Sequence, residues 1–173
     1  MGIVIRPVKW NDFEDIVKNY YAFYEEIKTD PYFGITLYDD LPDIPSEINW
    51  FMNLIISTNL GEAIAIVAED SGRVVGLCDI HNKRPNTELS HIGVLGIAIA
   101  KEYRDRGIGT LMIEKAIELS KSKFKIIVLE VFSSNERAIH LYEKLGFKKY
   151  GYLSKAIKRN GEYLGEFQMY LEL

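Results

Sequence analysis

Hydrophobic and polar positions change period several times along the chain, and each change predicts an element. Residues 3–6 read as a short strand ended by Pro7. Phe13, Ile16, Val17, Tyr20, Tyr24 and Ile27 then recur at helical spacing. Asn11 or Asp12 stands where a cap is needed, with Glu14 in capping-box position after Asn11. Residues 29–45 carry Pro, Asp and Gly without a period and predict a long loop. Ser46 is the expected cap of a second helix that turns Ile48, Phe51, Met52 and Ile55 inward. Residues 63–69 and 74–80 predict a hairpin around Asp70-Ser71-Gly72-Arg73, followed by a turn at 83–87. Residues 91–99 form the next strand. Here Leu95, Ile97 and Ile99 put bulk on one face, and Gly96 and Ala98 leave the other bare. A helix after Gly109 is expected to pack through Leu111, Met112, Ala116 and Leu119. Residues 125–132 read as a buried strand. Residues 136–145 read as a helix capped by Ser134 or Asn135 and stopped by Gly146. Residues 147–154 and 166–173 are the last two strands, joined through Arg159-Asn160-Gly161-Glu162. The order is strand, two helices, three strands, helix, strand, helix, two strands, which predicts an α/β (α+β) fold.

The stretch with the most chemical content follows the bare strand: Arg104-Asp105-Arg106-Gly107-Ile108-Gly109-Thr110. Gly107 and Gly109 let the main chain approach an anion, and the next helix points free N–H groups and its positive dipole end at it. Arg104 and Arg106 add charge. The spacing alone is equally that of a tight strand-to-helix connection. It is not a Walker loop, because no Gly-Lys-Ser/Thr follows. Nor is it a dinucleotide fingerprint, which needs three glycines after an early strand.

Composition narrows the function classes. A chain of 173 residues is expected to form one domain over residues 1–173. No apolar run is long enough to cross a bilayer, and no secretory leader is read at the start, so no membrane partner is expected. The single cysteine, Cys78, fits a reducing cytoplasm and reads as a core residue. Three scattered histidines predict no metal site. A formal charge of −4 argues against nucleic acid as a partner. The charge is uneven. Residues 1–60 carry four basic side chains against ten acidic ones, and residues 101–125 carry seven against four. The positive part surrounds the glycine loop. The acidic part is either a solvated face or an attractor for a cationic acceptor.

Arg104-x-x-Gly107-x-Gly109 after an apolar strand resembles the pyrophosphate-binding signature of the GNAT superfamily of acyl-coenzyme A N-acyltransferases. A second signature follows in that family's order: Leu129-Glu130-Val131, Asn135, Ala138-Ile139, and Leu141-Tyr142-Glu143-Lys144-Leu145-Gly146-Phe147. The resemblance spans essentially the whole chain and is sharpest over 95–147. It implies a central, mixed, mostly antiparallel sheet of six to seven strands flanked by four helices, with acetyl-CoA as cosubstrate. It also implies that Ile97, Ala98 and Ile99 offer backbone groups to the pantetheine arm. Arg104, Asp105, Arg106, Gly107, Ile108, Gly109 and Thr110 would wrap the pyrophosphate, and Asn135 would approach from the other side.

By resemblance, Tyr142 is the acid for the coenzyme A thiolate. On residue type alone it reads as a core aromatic, and the motif is what favours catalysis. The Leu-Glu-Val run, with a tyrosine twelve residues on, looks like that of ribosomal-protein N-terminal acetyltransferases, which makes Glu130 the candidate base. Asp79 and His91 stand in reserve. The loop-rich first half and the Arg-Asn-Gly-Glu-Tyr turn look more like members acting on small amines or amino acids, including the phosphinothricin type. The expected acceptor is therefore a small-molecule amine, an amino acid or a peptide N-terminus. Other readings are a non-catalytic coenzyme A sensor and a nucleotide-phosphate binder. The sequence leaves monomer and homodimer both open.

Overall fold

The computed structural model describes residues 2–173. Its strands are β1 (Val4–Pro7), β2 (Ala63–Asp70), β3 (Arg73–Asn82), β4 (Ile92–Ile99), β5 (Ile126–Phe132), β6 (Lys148–Arg159) and β7 (Glu162–Glu172). They form one sheet in the order β1-β2-β3-β4-β5-β7-β6. Its α-helices are α1 (Phe13–Thr29), α2 (Ile44–Asn59), α3 (Ile108–Ser120) and α4 (Glu136–Lys144). The predicted element order holds throughout. Every neighbouring pair of strands is antiparallel except β4 and β5.

That parallel pair decides the shape of the molecule. It is registered only over Ile92–Ile126, Gly93–Ile127 and Val94–Val128. Beyond Val94, β4 runs on to Ile99 and β5 to Phe132 with no rung between them, so the sheet opens into a fork. The closed end is tightly packed. A Cβ on Gly93 would lie 2.6 Å from Ile80 Cγ2 and 2.9 Å from the Phe124 ring.

Alternation along the strands sorts side chains to two faces. Cys78, Ile80, Leu95, Ile127, Leu129 and Met169 join Met112, Ile113 and Ala116 of α3 in the larger core, which also takes in Ile139 and Tyr142 of α4. Val67 and Val74 pack with Ile16 of α1 and Phe51 of α2 on the opposite face. Gly96 and Ala98 pair with Asp79 and Leu77 of β3, on the face with α1 and α2.

Several local expectations need correction. Asp12 does not cap α1 with its side chain. Its carboxylate instead takes the Arg6 guanidinium in two bonds of 2.7 and 2.8 Å and the Lys9 N–H at 2.7 Å. Arg6 also donates to Glu69, so one guanidinium ties β1, the turn before α1 and β2. The second helix starts earlier than expected, because Asp43, not Ser46, is its cap and accepts from Ser46 N. Its buried stripe is rotated: Glu47 and Phe51 point in, while Ile48 and Met52 are exposed. In α3, Leu111 and Leu119 face out, and Ile108, Met112, Ile113, Ala116 and Ser120 face the sheet. The last hairpin is longer than expected, with β6 and β7 paired up to an Arg159–Glu162 rung beside Asn160-Gly161, both at positive φ.

Two outcomes follow. Gly93→Ala overpacks the closed end of the fork and lowers stability by about 1–3 kcal/mol, read as a drop in melting temperature. Asp12→Asn leaves Arg6 with Glu69 as its one charged partner and costs about 1–3 kcal/mol at neutral pH. Burial pushes the Asp12 carboxyl up, but Arg6 and the Lys9 N–H outweigh this and hold it below the usual carboxylate range. Its contribution is therefore complete above the ordinary carboxylate value and is lost as pH falls through the lowered one. Melting curves from pH 7 down to 3 should show the wild-type advantage over Asp12→Asn shrinking at the acid end.

Candidate active site

The fork is the floor of a cleft of about 1570 Å³ that runs from the N-terminus of α3 to the loop between α1 and α2. Where β4 leaves β5, its outer edge has no strand to pair with, and backbone donors and acceptors in such a place need partners. Ile97, Ala98 and Ile99 lie along that edge and line the cleft. One carbonyl, that of Ile99, is already used by Arg104 Nε at 2.9 Å.

At the mouth, Gly107 is the N-cap of α3 at φ +76°, and Asp105 also sits at positive φ. The helix's own ladder begins with Leu111 N donating to Gly107 O, so the Ile108, Gly109 and Thr110 N–H groups precede it. No acidic side chain stands in this first turn. Gly109 is held close to its neighbours: a Cβ there would meet Ile99 Cδ1 at 3.4 Å and Leu141 Cδ2 at 3.6 Å. The loop thus presents main-chain donors beside a helix dipole, the arrangement that holds phosphate.

The arginines divide differently from what charge alone suggested. Arg106 is exposed and stacks on the Tyr103 ring at 5.2 Å. Arg104 turns inward. It grips Glu26 of α1 at 2.5 and 2.8 Å and lies over the Phe33 ring at 4.4 Å. Asp105 pairs with Arg137 of α4 at 2.6 Å across the mouth. Asn135 caps α4, its Oδ1 accepting from Ala138 N, and its side chain lies against Gly34.

Tyr142 and Glu130 line the same cleft from different elements. Tyr142 is buried on α4, with its ring 5.7 Å from that of Phe147. Burial, aided by the neighbouring Cys78, pushes its phenol above the ordinary value. Among the described residues the hydroxyl has no hydrogen-bond partner, yet it is not sealed off, since no unpartnered side-chain polar atom is. Glu130 is exposed on β5 and stands opposite Gln168 of β7 in the register. Asp79 also lines the cleft, bonded to His81 at 3.0 Å. His91 is exposed at the closed end of the fork and outside the cleft lining.

Sequence reasoning missed four participants. Glu166 of β7 sits near Glu130. Burial first, then the Glu130 charge, raises its carboxyl above the usual range. Glu47 lines the cleft from α2. Glu26 holds Arg104. Arg159, at the end of β6, donates to the Pro31, Phe33 and Ile35 carbonyls and so fixes the α1–α2 loop. Only Glu166 had a local signal, its alternation with Gln168 on one strand face. The described residues hold no cluster of side chains fit for a metal ion, and no helix long and apolar enough to cross a membrane.

The L-amino acid N-acetyltransferase AaaT of Escherichia coli is 30% identical over 128 residues, which cover 72% of this chain and 76% of that protein. N-alpha-acetyltransferase 30 of Schizosaccharomyces pombe is 38% identical over 91 residues, 50% of this chain and 58% of that protein. The structure of yncA, a putative acetyltransferase from Salmonella typhimurium with its cofactor acetyl-CoA, shares the fold with a TM-score of 0.84 at 19% identity, over 99% of this chain and 94% of that one. Residues 14–147 match the model of the Acetyltransferase (GNAT) family, whose cosubstrate is acetyl-CoA, and the chain belongs to that family of acyltransferases.

Proposed function

We propose that the chain transfers an acetyl group from acetyl-CoA to a primary amine of a small molecule, amino acid or peptide N-terminus, by direct attack within a ternary complex. The observation that carries this reading is the fork. It has an unpaired β4 edge for an extended thioester arm and a main-chain phosphate cradle at its mouth. Tyr142 and Glu130 stand along its walls. The unpaired edge of Ile97, Ala98 and Ile99 would take the arm as an added strand takes its neighbour. The pyrophosphate would rest on the Gly107-Ile108-Gly109-Thr110 main chain. Arg106 would supply charge, while Arg104, already joined to Glu26, would shape the loop rather than touch the phosphates. Asn135 would bound the arm on the α4 side.

The amine nitrogen attacks the thioester carbonyl carbon, the C–S bond breaks, and the electron pair stays with sulfur. A protonated alkylamine, with a pKa of about 10, has no lone pair to attack with. Glu130 is assigned to take that proton, directly or through water, and to pass it to solvent; the second proton, shed by the nitrogen as the amide forms, leaves by the same route. Tyr142 is assigned to return a proton to the departing sulfur. A phenol keeps its proton at neutral pH, as a donor must. Relatives named L-amino acid N-acetyltransferase and N-alpha-acetyltransferase support an amine acceptor.

Thiol release from acetyl-CoA against pooled amines, amino acids and short peptides is the direct test. Tyr142→Phe is expected to lower kcat by about 10²-fold, while coenzyme A raises the melting temperature of the variant as it does that of the wild type. Normal turnover by this variant would remove Tyr142 from the mechanism. Glu130→Gln is expected to lower kcat/KM by about 10²-fold at pH 7. Its deficit should narrow as the pH approaches about 10, where the amine loses its proton unaided. A deficit constant over that range would remove Glu130 as the base.

A further inference from the structure

The acceptor end of the cleft is lined by acidic side chains, of which only Asp79, beside His81, has an ion-pair partner among the described residues. Asp79, Glu130 and Glu166 line it from the sheet, and Glu47 lines the same cleft from α2. Among the described residues, the cationic side chains in the cleft lining are Arg104 and Arg137. Arg104 is joined to Glu26 and Arg137 to Asp105, both towards the phosphate loop. A carboxylate on the acceptor would therefore meet mostly negative charge.

Glu47 is the specific feature. It is 5% exposed, lines the cleft, and has no hydrogen bond or ion pair from its carboxylate among the described residues. A buried carboxylate normally has a partner, since an unpaired one is costly. Its oxygens are not sealed in the protein, so the open side is the cleft. Around it, Tyr20 lies close enough for the Glu47 charge to bear on its phenol, and Tyr24 meets Tyr20 edge to face at 5.7 Å. Trp50, one helical turn on, lines the same space. Aromatic faces beside a carboxylate form a seat for an ammonium group. The roof above is fixed: Tyr21 donates to Pro42 O at 2.7 Å, and Arg159 holds the Phe33 and Ile35 carbonyls. A small amine fits beneath such a roof.

We propose that Glu47 is a specificity residue that binds a second ammonium group of the acceptor, so that the preferred substrates are small aliphatic diamines or polyamines with no carboxylate. This rests on the acetyl-transfer reading above and names the acceptor class for it. One ammonium lies on Glu47, and the other end of the alkyl chain presents the reacting amine to Glu130.

Initial rates of thiol release with 1,4-diaminobutane, butylamine, norleucine and a short Lys-containing peptide with a free N-terminus test this. The diamine is expected to exceed butylamine in kcat/KM by at least about tenfold, with norleucine lowest, because a site built to pair a charge rejects the analogue lacking it. In Glu47→Gln the ratio of diamine to butylamine should collapse towards one, mostly through the diamine KM, and Glu47→Asp should restore part of it. Calorimetric titration of 1,4-diaminobutane into protein saturated with coenzyme A reads the site without turnover, and Glu47→Gln should abolish that heat. Norleucine or the peptide as the best acceptor, or a diamine preference that survives in Glu47→Gln, overturns the proposal. Diamine binding that depends on Glu47, with no thiol release from any amine, upholds Glu47 as the ammonium site and overturns the acetyl-transfer reading instead.

Discussion

A single interrupted pairing underlies the whole arrangement. β4 and β5 share three rungs and then part, and the parallel contact is the one place where the sheet is not closed by antiparallel hydrogen bonds. A strand edge inside a folded protein is unstable unless something satisfies its polar groups. Here the larger core holds the edge open, with Met112 and Ile113 of α3 and Ile139 and Tyr142 of α4 packed beneath it. The closed end is pinned by Gly93, which admits Ile80 and Phe124 where any side chain would collide. A place for an extended ligand thus follows from where the rungs stop, and α3 begins at the open end because its strand has just run out.

Two half-buried arginines are used for construction. Arg6 joins β1, the turn before α1 and β2 through Asp12 and Glu69. Arg104 links the phosphate loop to α1 through Glu26 while it stacks on Phe33 of the intervening loop. Each is a planar fork matched to a carboxylate, a geometry lysine does not offer. With these guanidiniums engaged, the mouth presents main-chain N–H groups and the exposed Arg106, and the other end of the cleft carries mostly carboxylates. The two ends of one cleft therefore differ in sign.

The order of elements was legible because the hydrophobic period switches cleanly between helix and strand, and the glycine loop was legible because its residues are contiguous. The inward faces of α2 and α3 were not. Both helices carry apolar residues on more than one side, so Ile48 and Met52 looked as suitable for the core as Phe51, and Leu111 and Leu119 as suitable as Met112. The sheet chose the small Ala116 and Ser120 for close approach, a choice that depends on the partner surface. Glu26 and Arg104 lie 78 positions apart, and no local pattern links them. Glu47 reads as an ordinary polar residue near a helix start. Its meaning comes from burial against a cavity, which the sequence does not record.

The hold that Arg159 takes on the loop after α1 has a consequence for how this protein can change over generations. The guanidinium contacts the carbonyls of Pro31, Phe33 and Ile35, atoms that nearly every amino acid supplies in the same form. The anchor therefore imposes little on which side chains the loop carries. Substitutions from Thr36 to Leu41, beyond the anchored carbonyls, alter the lining of the cleft without loosening its attachment. A lineage can explore new acceptors at those positions while the scaffold, the phosphate loop and the reacting groups stay as they are.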